Sequence, residues 1–176
     1  MLQSFILRRC QRPCPSWIKF NRHHSRLVFE PKSLFNITGT LSTEGIAIGA
    51  VAEVKHTFHH NDVLKFSKIC GDDNPLHIDK EFAKKTIFGK TIVHGILVSS
   101  LFSTIFGHSI QGAIYVGQTL KFKRPVFVGS EVTASMKIIR TEEKRKGTLL
   151  TCSTTCILQD GEIAIEGEAQ VLIPNS

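Results

Sequence analysis

The run Gly71-Asp72-Asp73-Asn74-Pro75-Leu76-His77 sets a carboxylate and an imidazole five residues apart, and His94-Gly95 opens an apolar segment soon after. Pro75 fixes its own φ and biases Asn74 toward an extended conformation, so the intervening turn is stiff. A carboxylate and an imidazole held this way can share a water from two directions. The start of the apolar segment supplies main-chain N–H groups backed by a helix dipole, which favour an oxygen gaining negative charge. Together these groups are suited to moving a proton and a water molecule on a carbonyl compound.

The elements that must position these groups follow from periodicity. Val51, Val54 and Phe58 alternate through Ala50 to Phe58, a first strand. Asn61 is placed to cap a short helix with Asp62 in its first turn, Val63, Phe66, Ile69 and Cys70 on one side, and Gly71 to end it. Ile78 to Lys85 carries acids early and lysines late, a second short helix. From Val93 to about Phe106 apolar residues lie all round and no ionisable group follows His94, so this helix is expected to be buried on most sides. After Ala113 the period changes to two. Val132, Ala134, Met136 and Ile138 form one strand face, Leu150, Cys152, Cys156 and Leu158 the next, and Ile163, Ile165, Gly167, Ala169, Val171 and Ile173 the last. Val128-Gly129, Lys146-Gly147 and Asp160-Gly161 mark the turns, and Pro125 ends a strand. A long apolar helix needs a cover, and four or five antiparallel strands need something on their inner face. Wrapping the sheet around the helix meets both needs. The expected architecture is a single α+β hotdog fold over residues 49–176, preceded by an irregular lead-in at 30–48.

The bulk numbers narrow the function. A chain of 176 residues with 41% apolar residues holds one substantial core. The net charge of +7 suggests nucleic acid until its distribution is read. Residues 1–29 hold Arg8, Arg9, Arg12, Lys19, Arg22 and Arg26 and no carboxylate; removing these six from the 22 basic residues leaves 16 against 15 acidic ones. The domain is therefore near neutral and lacks a basic footprint for phosphate backbones, so no nucleic-acid partner is expected. The Arg-rich, acid-free head reads as a mitochondrial presequence, cleaved or disordered, with a matrix address; the alternative is a basic tail with no address. Its apolar stretch is too short to span a membrane, and no later segment reaches that length. Cys152 and Cys156 would sit roughly 13 Å apart on a strand, beyond disulfide reach, and read as small buried side chains. His56, His59 and His60 have no carboxylate or cysteine at ligand spacing and read as exposed strand-end residues, so no metal is expected there.

Cys70-Gly71-Asp72-Asp73-Asn74-Pro75-Leu76-His77-Ile78-Asp79 resembles the hydratase 2 motif of MaoC-like (R)-specific enoyl-thioester hydratases. Val93 to Ser103 and Lys123 to Val132 continue the likeness, which extends from about Gly49 to the C-terminus. With the basic head, the chain is similar to the dehydratases of mitochondrial fatty acid synthesis. The resemblance implies a hotdog homodimer with its sites near the subunit interface. It implies reversible removal of water from (R)-3-hydroxyacyl thioesters carried on phosphopantetheine, of acyl carrier protein or coenzyme A, with no metal or redox cofactor.

The resemblance also places catalysis on Asp72, not Asp73, together with His77, and matches Ser103 to a serine that supports the pair. Gly95 then lets a thioester carbonyl approach its N–H at the start of the central helix, where an enolate-like oxygen is stabilised. Asn74 builds the turn. Each residue has a plainer alternative: an Asx-turn for Asp72, a hydrogen-bonded loop histidine for His77, close packing for Gly95, and a hydroxyl bonded to its own helix for Ser103. Two rival functions stand beside dehydration. A hotdog acyl thioesterase commonly places Asp or Glu on or beside the central helix, and Val93 to Phe106 has none. A non-catalytic hotdog scaffold has no need of the Asp72, His77 and Gly95 set.

Overall fold

The computed structural model describes residues 18–20, 27–29, 35–41 and 46–175. Two compact units are present, Met1–Leu34 and Phe35–Ser176. In the first, β1 (Ile18–Phe20) and β2 (Leu27–Phe29) pair antiparallel with Ile18 opposite Phe29. Of the presequence expected over residues 1–29, all but these two strands lies outside the described residues.

The second unit runs β3 (Ile37–Gly39), β4 (Val51–Thr57), α1 (His60–Cys70), α2 (Pro75–Ile78), α3 (Lys80–Lys84), α4 (Gly95–Ser109), β5 (Ile114–Gln118), β6 (Lys121–Phe122), β7 (Glu131–Lys144), β8 (Gly147–Leu158) and β9 (Ile163–Pro174). Seven strands form one antiparallel sheet in the order β3-β4-β7-β8-β9-β5, with β6 also pairing β9. This exceeds the expected four or five, because β3 and β6 are too short to show an alternation. The sheet also starts at Ile37, opposite Val54, within the stretch expected to be an irregular lead-in.

The helix α4 lies on the sheet with Val98, Leu101, Phe102, Ile105 and Phe106 buried. They join Val54, Ala134, Met136, Ile138, Leu150, Ile165, Ala169 and Val171 in one core. Each large apolar side chain removed from water contributes about 1.5–3 kcal/mol. The expected burial on most sides is met except along one stripe. Ile96 is 56% exposed, and Ser100, Ser103, Gly107 and His108 also face outward. Ser99 and Ser100 return their hydroxyls to the carbonyls of Ile96 (2.8 Å) and Leu97 (2.7 Å), so part of this face is satisfied within the helix.

The long strands follow their period except at bulges. A register shift between Cys156 and Ile157 buries Ala164 and Ile165 together and turns Ile163, expected inward, toward solvent. Cys152 and Cys156 are buried free thiols, and burial pushes both up to about 12, so neither is reactive.

The chain that carries the site back from β5 is pinned at Gly167. A Cβ there would lie 1.9 Å from the Thr119 carbonyl oxygen. That oxygen has little room to retreat, because Thr119 N–H donates to Glu168 O (2.8 Å) and Glu168 N–H to Thr119 Oγ1 (2.9 Å). Gly167→Ala is expected to cost about 1–3 kcal/mol of stability by overpacking, read as a lower urea midpoint. An unchanged midpoint would contradict this close approach.

Candidate active site

Helix α1 begins two residues earlier than expected. His59, with extended backbone, is its N-cap, and Asp62 Oδ2 accepts from the His59 N–H at 2.9 Å, so Asn61 lies inside the helix. Val63 and Ser67 are buried, whereas Ile69, 82% exposed, and Cys70 face outward, contrary to expectation. His56 is half-buried between Phe35 (ring centroids 4.8 Å) and Phe58 (4.5 Å), and not an exposed strand end. Gly71 ends α1 at φ +80° and donates to Ser67 O at 2.8 Å, the left-handed cap that glycine adopts freely.

That turn delivers Asp72. Its Oδ1 accepts from Asn74 N–H at 3.3 Å, so one oxygen closes an Asx-turn and Oδ2 remains for other work. Asn74 Oδ1 accepts from Leu76 N–H at 3.0 Å and caps α2, with Pro75 in the first helical position. The stiff turn is thus a capped single turn of helix, and His77 sits on it. His77 is half-buried and its Nδ1 lies 2.8 Å from Ile92 O. A carbonyl only accepts, so Nδ1 carries the hydrogen and Nε2 holds the free lone pair.

His94, the N-cap of α4, is buried, with Nε2 3.0 Å from Asp72 O and 3.9 Å from Asp72 Oδ2. One carboxylate oxygen of Asp72 and one ring nitrogen each of His77 and His94 lie within 4.8 Å of one another. Groups within about 5.5 Å share one water at ordinary hydrogen-bond lengths. The trio is a poor cation cage. His77 and His94 each donate one ring N–H to a carbonyl, and their stacked rings, 29° apart, keep the remaining lone pairs in separate, nearly parallel planes, which suits no common tetrahedral ion.

Gly95 is the first residue of α4, and its N–H is among those with no partner inside the helix. The close-packing reading also holds here. A Cβ on Gly95 would lie 2.5 Å from the Phe122 ring, which is 53% exposed on β6. Two chambers meet at this point. One of about 240 Å³ is lined by Phe66, Cys70, Asp72, His77, His94, Gly95 and Ile96. The other, about 390 Å³, runs from His77, Gly95 and Ile96 along Phe88, Val98, Val126 and Ile165, with Lys123 and Arg124 at its edge. Both chambers have mostly apolar walls, and they share His77, Gly95 and Ile96, so Asp72, His77 and His94 stand beside the helix N-terminus at the point where the two meet.

Asp72, His77 and Gly95 are thus brought together, and Asn74 holds the turn. Ser103 is not in this group: it is exposed, about 12 Å along α4 from Gly95, and among the described residues its hydroxyl bonds neither Asp72 nor His77. His94 and Phe122 line the site without having been singled out as site residues. A histidine at a helix N-cap, where Ser, Thr, Asp or Asn is preferred, was the available signal. Nothing in the sequence marked Phe122.

Burial lowers the proton affinity of His94 and His56 below the ordinary 6.5. Above 6.5 the folded and unfolded chains are both neutral at these rings, and stability is fully present. As pH falls, the unfolded chain takes up protons that the folded one resists, and stability is lost as pH falls through the folded values. The urea midpoint is expected to be lower at about pH 5.5 than at about pH 7.5, and equal midpoints would contradict neutral burial of both rings.

The sequence matches the family model described as MaoC like domain over residues 42–157. It is 38% identical over 148 residues to the mitochondrial 3-hydroxyacyl-[acyl-carrier-protein] dehydratase FERN of Solanum lycopersicum, covering 84% of this chain and 89% of the relative. It is 40% identical over 136 residues to the (R)-specific enoyl-CoA hydratase of Aeromonas caviae, covering 76% of this chain and 100% of the relative. Among solved structures, the A. caviae (R)-hydratase superimposes with a TM-score of 0.71 at 41% identity, covering 74% of this chain and 99% of the other. An unliganded R-hydratase from Pseudomonas aeruginosa gives 0.70 at 29% identity, covering 80% and 90%.

Proposed function

This chain belongs to the MaoC-like domain family, and from that premise we propose that it is a hydro-lyase, an (R)-3-hydroxyacyl-thioester dehydratase that also hydrates trans-2-enoyl thioesters. The observation that carries the reading is the meeting of Asp72, His77 and the α4 N-terminus at Gly95, with an apolar chamber beside them.

In the hydration direction Asp72 and His77 hold one water. The pair removes a proton as the water oxygen bonds to the β-carbon, and charge passes to the thioester oxygen. That oxygen lies against the Gly95 N–H, where the unpaired donor and the helix dipole stabilise it. The pair then returns the proton to the α-carbon. One O–H bond of water and the C=C π bond are broken, a C–O and a C–H bond form, and no net proton is exchanged. Because His77 Nδ1 is committed to Ile92 O, Nε2 is the atom through which His77 exchanges a proton. Such acid–base assistance is worth about 10²- to 10⁴-fold.

The substrate is an acyl thioester on phosphopantetheine. The tomato relative's name supports acyl carrier protein as the carrier in mitochondrial fatty acid synthesis, and the acid-free basic head supports a matrix address. The outward face of α4 that carries Ser103 suits a homodimer, in which a second copy covers it. Among the described residues no helix is long and apolar enough to cross a membrane.

The test follows the absorbance of a crotonyl thioester together with free-thiol release, and dehydration of (R)- and (S)-3-hydroxyacyl substrates on both carriers. Loss of the double bond without thiol release, dehydration of the (R) form alone and preference for the carrier protein are expected. Thiol release with the double bond intact would sink the reading in favour of a thioesterase.

A further inference from the structure

His94 occupies a helix N-cap but gives α4 no side-chain hydrogen bond. The ring is turned across the cleft instead. Its Nε2 reaches the Asp72 main-chain carbonyl at 3.0 Å, a contact 22 residues apart in sequence. One face of the ring stacks on His77 with centroids 3.9 Å apart and planes 29° apart. Phe66 meets it edge-on at 5.1 Å and 63°. Only 3% of His94 is exposed. A buried imidazole thus touches both members of the acid–base pair.

Resting on the dehydratase reading above, we propose that His94 is a neutral positioning residue. It fixes Asp72 by a hydrogen bond to its main chain and His77 by the face of its ring, and so sets the two at water-sharing distance. The Asp72 carbonyl only accepts, so His94 Nε2 carries the hydrogen. Nδ1 is then a bare lone pair, buried with no hydrogen-bond partner. Protonating Nδ1 would place an N–H where nothing accepts it and a charge where water is excluded. The groups that face the ring pull in opposite senses: the Asp72 carboxylate at 3.9 Å favours its charge and His77 opposes it. Cys70 lines the same chamber. Burial is the largest influence and holds the ring neutral.

Neutrality matters to the chemistry. A charged His94 would pair with the Asp72 carboxylate and oppose the uptake of a proton by His77 stacked on it. A residue that served only to fill space would be better as Leu or Phe, which leave no nitrogen without a partner.

Two variants separate the two contacts. His94→Phe keeps a ring against His77 and loses the donor to Asp72, while His94→Gln keeps a donor and loses the ring. Each is expected to lower kcat for crotonyl thioester hydration roughly 10- to 100-fold, because small misplacements of reacting groups are costly. KM should stay within about threefold, and the pH–rate profile should shift. A loss in one variant alone supports positioning through that contact. Both variants within about threefold of wild-type kcat with an unchanged profile, or a rise in KM alone, would overturn the proposal. Imidazole ¹⁵N shifts of the unmodified protein decide the question even where a variant fails to fold. Nε2 protonated and Nδ1 bare throughout the active pH range is expected, and an imidazolium at His94 in that range overturns it. Wild-type turnover measured alongside separates this proposal from the dehydratase reading, which fails if the unmodified protein neither hydrates nor dehydrates.

Discussion

Asp72→Asn is expected to lower turnover by at least about 100-fold while the protein stays folded. The substitution leaves the local architecture its supports. An asparagine Oδ1 still accepts from the Asn74 N–H, as Asp72 Oδ1 does at 3.3 Å, and His94 still reaches the residue 72 carbonyl, which is main chain. What disappears is the negative charge beside the shared water, and with it a group that can take a proton or stabilise a protonated His77. Initial rates of crotonyl thioester hydration, with a thermal melt on the same sample, separate the two effects. A near-wild-type rate in a folded variant would remove Asp72 from the mechanism.

His77→Gln is expected to fall by a similar factor, for a different reason. A glutamine amide can still donate to Ile92 O, as Nδ1 does at 2.8 Å, but it offers no atom that takes up and releases a proton near neutral pH. It also removes the ring on which His94 stacks at 3.9 Å. Because Asp72 and His77 act on one water as a unit, the double variant should be little slower than either single one, not the product of their losses. Single-variant rates near wild type would dismiss His77, and multiplicative losses would show that the two act independently.

Where the structure follows the sequence, the signals are short-range. Gly71 ends α1, Asn74 caps α2 and Asp160-Gly161 turns the chain between β8 and β9, because each depends on the φ, ψ and side-chain reach of a few residues. The apolar run became α4, and the period-two segments became β7, β8 and β9. Expectations failed where a neighbour distant in sequence decides the outcome. Ile69 has the spacing of an inward residue and is 82% exposed, because among the described residues no element lies over that edge of α1. Ile163 has the parity of an inward residue, and a bulge across from Cys156 and Ile157 reverses it. The strand β3 has no periodicity of its own and exists because β4 offers it an edge.

The acid–base pair divides along the same line. The sequence by itself determined that a carboxylate and an imidazole would stand on one capped turn ahead of an apolar helix, since Gly71, Asn74 and Pro75 set that geometry through their own backbones. Only the tertiary structure decided which atoms are free to react. Ile92 O takes the Nδ1 hydrogen of His77, Asp72 O takes the Nε2 hydrogen of His94, and Phe122 closes on Gly95. These partners lie 15 to 27 residues away along the chain, and only packing brings those carbonyl acceptors within reach of the half-buried and buried ring hydrogens.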